Sequence, residues 1–391
     1  MRTQVGIVGA GPAGLTLGLL LQREGIECVI LELRSRDYVE RRVRAGLLEQ
    51  NTVDLLHQLE VGDRLDREGL QHDGIYLRRQ GETLRIAIHE LTGRRVTIYG
   101  QQEVVKDEID AFLERGGELR FEVSDVAIAD FDSGRPRISY VSGSSEEELE
   151  CEFIAGCDGS HGICRQAIPE GVLTEHEYVY EFGWLGILAE AAPATDELIY
   201  GWHERGFALY SMRSPSVSRL YLQVPADEDI ELWPDERIWE ELQTRLETEG
   251  WSVNQGPVFE KGITPMRSFV CEPMQCGNLF LAGDAAHIVP PTGAKGLNLA
   301  VNDARLLAAA LVECQRDGSR ERLNRYSQTA VRRVWRAQDF SNYMTQLLHD
   351  LGRGRFDRQL QLSRLEYLSR SEAAATSLAE NYAGLPAAPD F

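Results

Sequence analysis

Apolar residues fall along this chain into short continuous runs near both ends, alternating runs in the middle and long helical runs at the end. Residues 4–8 and 279–282 are continuous apolar runs typical of buried strands, and each leads through a glycine-rich turn toward a helix. Apolar and polar residues alternate from 69 to 88 and again from 178 to 224, which predicts antiparallel strands. From 302 to 379 the pattern is almost wholly helical.

This order of elements predicts a mixed α/β and α+β protein with three regions. A Rossmann-like nucleotide-binding domain would span residues 1–175, with an excursion of strands near 70–98 into a second domain. Residues 176–278 would form that second domain, a β-sheet substrate domain, and residues 279–391 a ligand-contacting loop and a helical C-terminal interface region. Single elements are predicted as helices at 15–23, 53–59, 103–115 and 234–248 and as strands at Cys28–Leu31 and 149–154.

Charge and cysteine usage narrow the class of protein. The chain has 391 residues, 41 basic and 62 acidic, for a net charge of −21. An acidic surface repels phosphate backbones and anionic lipid, which argues against nucleic acid and membrane partners. No apolar run is long enough to span a bilayer, and the glycine spacing of 6–21 is unlike a signal peptide. The seven cysteines include no C-x-x-C pair, so we expect reduced thiols and a cytoplasmic protein.

The first glycine-rich turn has a spacing with a known physical use. Gly9, Gly11 and Gly14 form G-x-G-x-x-G between a strand and a helix, and Glu32 closes the next strand about twenty residues on. Such glycines make a tight turn and let a pyrophosphate reach the helix N-terminus, while the acid accepts hydrogen bonds from ribose hydroxyls. The motif predicts a dinucleotide site and leaves FAD and NAD open.

Arg41, Arg42 and Arg44 follow this motif. Such a run is most often a solvated charged surface, but in an acidic chain directly after a dinucleotide fold we favour contact with phosphate groups.

The later strand–loop–helix predicts a cradle for a planar, anionic ligand. After the strand come Gly283-Asp284, a stiff extended loop at Pro290-Pro291, and glycines 293 and 296 on either side of Lys295. Asn298 then begins a helix whose free N–H groups face the loop.

A glycine-rich turn in the middle of the chain carries Asp158, His161 and Arg165. Cys157 and Cys164 are seven residues apart with no second pair, so we predict no metal site.

The aromatic segment 178–224 predicts a second pocket. Most of its aromatic side chains are expected in the core. Ser211, Arg213, Arg219 and Tyr221 add hydroxyl and guanidinium groups at alternating strand positions, so some point into the same space. An anionic aromatic ligand would suit such a pocket.

Together these motifs resemble the two-domain flavin-dependent aromatic monooxygenases. Within them, the closest resemblance is to the branch that acts on 4-hydroxybenzoate, and it extends over essentially the whole chain to 380–382. The segments that carry it are 42–50, 157–159, 182–185, 205–209 and 282–299.

The resemblance implies specific roles for residues. It implies homodimers and FAD or nucleotide contacts at Gly9, Gly11, Ala13, Gly14, Glu32, Arg42, Val43, Arg44, Ala45, Gly46, Leu47, Gln101, Asp158, Asp284, Leu297 and Asn298. It implies that the reduced pyridine nucleotide meets Arg44, His161 and Arg165. For the substrate it implies a carboxylate held by Ser211, Arg213 and Tyr221 beside Met212, a phenol oxygen at Tyr200 and Pro291, and a proton path through Tyr382 and His72.

The activity implied is hydroxylation of 4-hydroxybenzoate to 3,4-dihydroxybenzoate with NAD(P)H and O₂ through a flavin C4a-hydroperoxide. NADPH is expected over NADH because Arg34, Tyr38 and Arg42 are suited to a 2′-phosphate, although Leu33 stands where an arginine is common. Three alternatives remain open: hydroxylation of 3-hydroxybenzoate or 4-aminobenzoate, a flavin reductase that does not use O₂, and a non-catalytic FAD-binding protein.

Overall fold

A computed structural model describes residues 1–44 and 46–385 of the chain. The strands are β1 Val5–Val8, β2 Cys28–Leu31, β3 Leu47–Glu49, β4 Leu70–His72, β5 Ile75–Arg79, β6 Glu82–Ile86, β7 Val96–Ile98, β8 Glu118–Arg120, β9 Val123–Ala129, β10 Arg137–Ser142, β11 Ser145–Glu150, β12 Phe153–Gly156, β13 Thr174–Ala189, β14 Ile199–Trp202, β15 Ala208–Ser214, β16 Val217–Pro225, β17 Val258–Glu272, β18 Gln275–Cys276, β19 Leu279–Leu281 and β20 His287–Ile288. The helices are α1 Pro12–Arg23, α2 Arg36–Arg41, α3 Gln50–Gln58, α4 Asp63–Glu68, α5 Ile88–Thr92, α6 Gln101–Glu114, α7 Ile163–Gln166, α8 Asp235–Arg245, α9 Gly296–Asp317, α10 Glu321–Leu348, α11 Gly354–Arg370 and α12 Glu372–Ala383, with short 3₁₀ turns at Ile230–Leu232, Gly283–Ala285 and Pro291–Gly293.

A six-stranded sheet in the order β18-β19-β12-β1-β2-β8 contains both predicted apolar strands. Strands β19, β12, β1, β2 and β8 run parallel, and β18 is an antiparallel edge. Helix α1 packs on α6 and α9. The small sheet β11-β10-β9 packs against strand β1, since a Cβ on Gly6 would touch Ile138 of β10. The strands read as continuous apolar runs because they are covered by other parts of the chain.

The predicted strand 149–154 is wrong as a single element. Strand β11 ends at Glu150 in the three-stranded sheet, and β12 begins at Phe153 in the six-stranded one. Between them the Cys151 N–H donates to the carbonyl of Pro136, which turns the chain from one sheet to the other. The sequence conceals this change because Leu149, Cys151 and Phe153 are all buried and keep one alternating pattern across the two strands.

The alternating segments form an eight-stranded sheet in the order β20-β17-β13-β16-β15-β14-β5-β6. The antiparallel pair β5–β6 was expected from the alternation, and the pair joins this sheet through parallel pairing of β5 with β14. One face, with Leu222, shares a core with Trp239 and Leu242 of α8, and the other, with Trp184 and Tyr200, shares a core with α10 and α12. The aromatic side chains are mostly buried as predicted, with Tyr178 exposed.

The helical C-terminal region links the two large sheets. Helix α9 packs on α1 and α10, and α10 contacts strands β17 and β14 of the eight-stranded sheet. Helix α12 then carries Tyr382 into the core beside Tyr200. No helix in the described ranges 1–44 and 46–385 is long and apolar enough to cross a membrane.

Candidate active site

The glycine turn after β1 has a different packing constraint at each glycine. Gly9 has φ +105°, and a Cβ there would lie 2.4 Å from the carbonyl oxygen of Cys157. A Cβ on Gly14 would lie 2.0 Å from the carbonyl oxygen of Gly9. A Cβ on Gly11 would meet no protein atom within 4 Å. The turn is therefore closed toward the protein at Gly9 and Gly14 and open at Gly11, where helix α1 begins without a side-chain cap.

Glu32 is held by the backbone beside this turn. It is buried, and its two carboxylate oxygens accept hydrogen bonds from the N–H of Ala10 at 2.7 Å and of Arg34 at 2.8 Å. A carboxylate oxygen has a further lone pair, so Glu32 can still accept a hydroxyl donor. Ala13, on the first turn of α1, packs near Gly283 and brings the early motif against the late one.

The late loop is built partly as predicted. Gly283 has φ +64°, and Asp284 is exposed although Ala282, Gly283 and Ala285 are buried, so its carboxylate faces open space at the end of the sheet. Leu297 lies on the first turn of α9 and packs on the core of the six-stranded sheet.

Lys295 does not join the expected anionic cradle. It is buried, and its Nζ donates to Glu49 Oε1 at 2.6 Å and to the carbonyl of Tyr382 at 2.9 Å. Burying a lysine without a partner would cost free energy, so the side chain of Lys295 points toward the nearby carboxylate.

Asn298 is fully engaged by the protein through its side chain. Its Oδ1 accepts from the Glu49 N–H and the Thr52 hydroxyl, and its Nδ2 donates to the carbonyls of Leu47 and Ala294. These bonds fix β3 on α9, so any contact of Asn298 with a ligand is left to its backbone.

Arg44, in the segment between α2 and β3, borders the second pocket, because its carbonyl accepts hydrogen bonds from Arg213 and Arg219. Arg42 and Arg44 are exposed and Val43 half-buried, and Ala45 lies outside the described residues. Although the side chain of Arg44 is exposed, neighbouring atoms that partly desolvate its guanidinium, and then the charge of Arg42, lower its pKa, with Asp284 acting in the opposite sense. Gly46 packs against the backbone that follows β7, since a Cβ would lie 2.3 Å from the carbonyl oxygen of Tyr99.

The central turn places three predicted residues at the end of β12. Asp158 Oδ2 accepts from the Cys164 N–H at 2.9 Å, while burial raises the pKa of this carboxyl. His161 is exposed. Arg165 is partly committed to the fold, because it donates to the carbonyls of Ala285 and Ser160 and stacks on Phe269.

A cavity of about 50 Å³ lies where the eight-stranded sheet meets the late loop. It brings together every predicted substrate residue. Its described lining residues are Gly46, Leu47, Ile98, Trp184, Leu198, Tyr200, Leu209, Ser211, Met212, Arg213, Arg219, Tyr221, Pro291 and Ala294. The walls are apolar, and the polar groups come from strands β14 to β16.

Two guanidinium groups converge beside this cavity. Arg213 donates to the carbonyl of Arg44 at 2.7 Å and to Gln102 Oε1 at 2.5 Å, and Arg219 donates to the same carbonyl at 3.1 Å. Arg219 also donates to the Tyr221 hydroxyl, and Ser211 donates to the carbonyl of Arg219. Burial, and then the charge of Arg219, lower the pKa of Arg213 to about 10, so it stays cationic at neutral pH. Two guanidinium groups at one end of the cavity favour an anionic ligand there.

A pair of tyrosines forms another polar feature. The hydroxyls of Tyr200, which lines the cavity, and Tyr382 lie 2.7 Å apart, and both rings are buried. Burial raises the pKa of each phenol, so both remain neutral. Because a hydroxyl can donate and accept, the pair can pass a proton between its members.

His72 differs from a surface histidine in both its burial and its protonation. It lies on β4, is 1% exposed, and neither ring nitrogen has a hydrogen-bond partner among the described residues. Burial lowers its pKa to about 4, so the ring is neutral. No direct hydrogen bond joins it to Tyr382 within the described ranges.

Some polar groups at this site lie outside the sequence-based set. Gln102 holds Arg213, but its only sequence signal is its position beside Gln101 at the start of α6. Arg219 was recognised as a guanidinium of the segment without an assigned role. His349 is 165 residues from Trp184, yet its Nε2 accepts from the Trp184 indole N–H at 2.7 Å.

This chain is similar to known proteins over nearly its whole length. An FAD binding domain family model matches residues 2–341. The chain is 50% identical over 389 residues to p-hydroxybenzoate hydroxylase of Acinetobacter baylyi, covering 99% of this chain and 96% of the relative. The chain belongs to the p-hydroxybenzoate hydroxylase family.

A more distant relative and a solved structure are also similar to this chain. A 3-amino-4-hydroxybenzoate 2-monooxygenase of Streptomyces cremeus is 25% identical, over 79% of this chain and 78% of that one. The crystal structure of p-nitrophenol 4-monooxygenase PnpA from Pseudomonas putida DLL-E4 superposes with a TM-score of 0.84 at 19% identity, over 99% of this chain and 100% of that one. That likeness establishes the shared fold.

Membership of this family makes the chain an FAD-dependent aromatic monooxygenase. The described residues fit FAD: the open position at Gly11, the uncapped start of α1 and the exposed Asp284 lie where the early and late motifs meet. The family places an aromatic small molecule and O₂ among its reactants.

Proposed function

We propose that this enzyme hydroxylates 4-hydroxybenzoate at the carbon next to its phenol oxygen, giving 3,4-dihydroxybenzoate. The observation that carries the proposal is one cavity with both Arg213 and Tyr200 in its lining. Tyr200 pairs in register with Leu209 of β15, and Arg213 lies four residues further along that strand. A ligand with a carboxylate at one end and a phenol at the other suits this separation, and the 50% identical relative supports it.

The basic end of the cavity fixes which ring carbon reacts. In this proposal Arg213, supported by Ser211, Tyr221 and the nearby Arg219, holds the substrate carboxylate through charge-assisted hydrogen bonds. Holding the substrate in one orientation supplies a large part of the rate acceleration, because only one ring carbon is then presented for attack. Pro291 and Met212 border the ring from the loop and the sheet.

The tyrosine end activates the ring. FAD, when bound, supplies hydride acceptance from the reduced pyridine nucleotide and the activation of O₂. A phenol titrates near 10, so forming the phenolate near pH 8 requires a shift of about 1–2 units, or roughly 1.4–2.7 kcal/mol. A hydrogen bond from the neutral Tyr200 hydroxyl and the field of the two arginines would stabilise the phenolate.

The proton leaves through the protein in this proposal. Apolar walls at Leu47, Leu198 and Leu209 exclude water from the ring, which protects reactive oxygen but denies the phenol a direct base. Tyr200 accepts the phenol proton while donating its own to Tyr382. We further propose His72 as a later member of this path, reached after a rearrangement or through water.

We also propose NADPH as the preferred reductant, with NADH used less well. Arg34 is exposed and stacks on Tyr38 at 5.1 Å beside Glu32, and Arg42 is exposed nearby in sequence. These groups would attract a 2′-phosphate, and Arg44, His161 and Arg165 would meet the rest of the nucleotide. Initial rates with both nucleotides test this, and an NADH kcat/KM equal to or above that for NADPH would contradict it.

A cytoplasmic homodimer completes the proposal. The seven cysteines are free, as expected for a reducing compartment. Helix α11 exposes Phe356, Leu360 and Tyr367, apolar side chains suited to a partner surface. Light scattering coupled to size exclusion would give the mass in solution.

The test of substrate is product identification with O₂ uptake. 4-Hydroxybenzoate, 3-hydroxybenzoate and 4-aminobenzoate would each be incubated with FAD-loaded protein and NADPH. We expect 4-hydroxybenzoate to stimulate NADPH oxidation and O₂ uptake equally and to yield 3,4-dihydroxybenzoate. A higher kcat/KM with either other benzoate would reassign the substrate, and nucleotide oxidation without O₂ uptake would indicate a reductase.

A further inference from the structure

A second cavity, which shares no described lining residue with the catalytic cavity, lies between α9, α10 and the end of α12. Its volume is about 230 Å³. Its apolar lining includes Leu299, Leu306, Ala337, Phe340 and Leu385. Cavities that bind small molecules are concave, mostly apolar and furnished with a few polar groups, and this one has that character.

The charged lining of this cavity is opposite in sign to the protein. The described residues that line it include the cations Lys295, Arg305, Arg332, Arg333 and Arg336, against one carboxylate, Glu49. The whole chain carries −21. Like charges held this close repel one another, and their local positive field would hold an anion against the repulsion from the acidic chain as a whole.

Glu49 cannot neutralise the cluster. It is 3% exposed, and its oxygens already accept from Lys295 at 2.6 Å and from Arg333 at 3.3 Å. Arg305 has no carboxylate partner among the described residues, and burial together with the charge of Arg333 lowers its pKa.

The remaining two arginines are on the outer side of the cavity. Arg336 pairs with the exposed Asp339 of its own helix at 3.1 Å, an interaction worth little in water. Arg332 is exposed, and it forms no ion pair with another described residue. Both guanidiniums therefore remain available to a ligand at the cavity mouth.

We propose that this cavity is a second ligand site, for an aromatic monocarboxylate bound with its ring on the apolar wall and its carboxylate on Arg332 and Arg336. Phe340 supplies an aromatic face, and Leu299 and Leu306 supply flat apolar contacts that suit a ring. Arginine pairs with carboxylates through two parallel hydrogen bonds, which favours this head group over a neutral one. The site is separate from the catalytic cavity and does not depend on the proposed reaction.

Equilibrium dialysis of FAD-loaded protein against radiolabelled benzoate tests the site. The variant is Arg332→Gln with Arg336→Gln, which removes both charges and keeps good helix formers. The matched control is Arg322→Gln with Arg325→Gln, two exposed arginines on the same helix that do not line the cavity. We expect the variant to lose one equivalent of benzoate per chain, or to bind it at least fivefold more weakly, while the control binds as the wild type does.

This outcome is expected whether or not the catalytic cavity also takes benzoate, because the loss is either from two equivalents to one or from one to none. A variant that binds as many equivalents of benzoate as the wild type does, each within fivefold of the wild-type affinity, would overturn the proposal. Labelled octanoate is the aliphatic probe. If octanoate shows the arginine dependence and benzoate does not, the assignment to aromatic carboxylates is wrong. Equal FAD content and circular dichroism establish that each variant is folded.

Discussion

Tyr200 contributes a single hydroxyl group to the candidate site. Its ring is buried between the eight-stranded sheet and α12, and its hydroxyl bonds only Tyr382 among the described residues. Removing the oxygen would therefore leave packing nearly intact and interrupt the proton path.

Tyr200→Phe should still consume NADPH but release most of the oxygen as hydrogen peroxide, because the phenolate would form poorly at pH 8. Product and peroxide would be measured against nucleotide consumed. Tyr210→Phe is the control, since Tyr210 is buried on the other face of the same sheet. If Tyr200→Phe stays tightly coupled with an unchanged pH profile, Tyr200 has no part in proton removal.

The proposed role of Arg213 depends on its charge and its position. Arg213→Ala should weaken binding of 4-hydroxybenzoate severely, because removing one member of a buried charge pair typically costs on the order of 2–5 kcal/mol. That corresponds to a rise in Kd of roughly 30-fold or more. Bound FAD should be retained. Arg237→Ala, at an exposed arginine on α8, is the control, and a change under about fivefold for Arg213→Ala would rule out Arg213 as the anchor.

At the scale of elements, two glycines of the β1–α1 unit are expected to have different roles, Gly14 in packing of the fold and Gly11 in binding of the ligand. Gly14→Ala places a methyl group against the carbonyl of Gly9, whereas Gly11→Ala places one in space free of protein atoms. Overpacking a tight site typically costs about 1–3 kcal/mol.

We expect Gly14→Ala to lower the melting temperature of the apoprotein. Gly11→Ala should leave that temperature nearly unchanged but raise the Kd for FAD, because the methyl group occupies the ligand's approach. Thermal unfolding of apoprotein and FAD titration by fluorescence measure the two effects. The reverse pattern, with Gly11→Ala the less stable variant, would show that the open side of the turn has been misassigned.

At the scale of the whole molecule, a buried histidine makes stability depend on pH. His349 stacks on Phe207 and Phe182, accepts from Trp184 through Nε2, and lies 3.0 Å from the carbonyl of Thr345 through Nδ1. These partners require a neutral ring, and burial lowers its pKa to about 3. The unfolded histidine binds a proton near pH 6.5, so acid favours the unfolded chain.

Between pH 7.5 and pH 5 this one histidine should reduce the free energy of unfolding by about 2 kcal/mol. Urea unfolding of wild type and His349→Gln at both values measures it, and the variant should lack that part of the pH dependence. His161→Gln, at an exposed histidine, should behave as the wild type does. An identical pH dependence in wild type and His349→Gln would mean that His349 is not held neutral in the fold.

The sequence by itself determined the features that depend on neighbours along the chain. The β1–α1 turn, strand β2 at Cys28–Leu31 and the helical character of residues 302–379 follow from local periodicity and from glycines whose spacing a tight turn requires, whereas the division of that region into α9 to α12 was not predicted. Recognition of the flavin motifs succeeded for the same reason, because each lies within one strand–turn–helix unit.

Tertiary structure alone decided which distant groups meet. Tyr200 and Tyr382 are 182 residues apart, and Arg213 is 169 residues from the carbonyl of Arg44 that it contacts. The sequence predicted that Lys295 belongs to an anion cradle, but its side chain is buried and bound to a carboxylate 246 residues away. A side chain's type and spacing limit what it can bind, but the sheet order and the packing of α9, α10 and α12 determine which partner is within reach, because a buried charge must be paired wherever the fold places it.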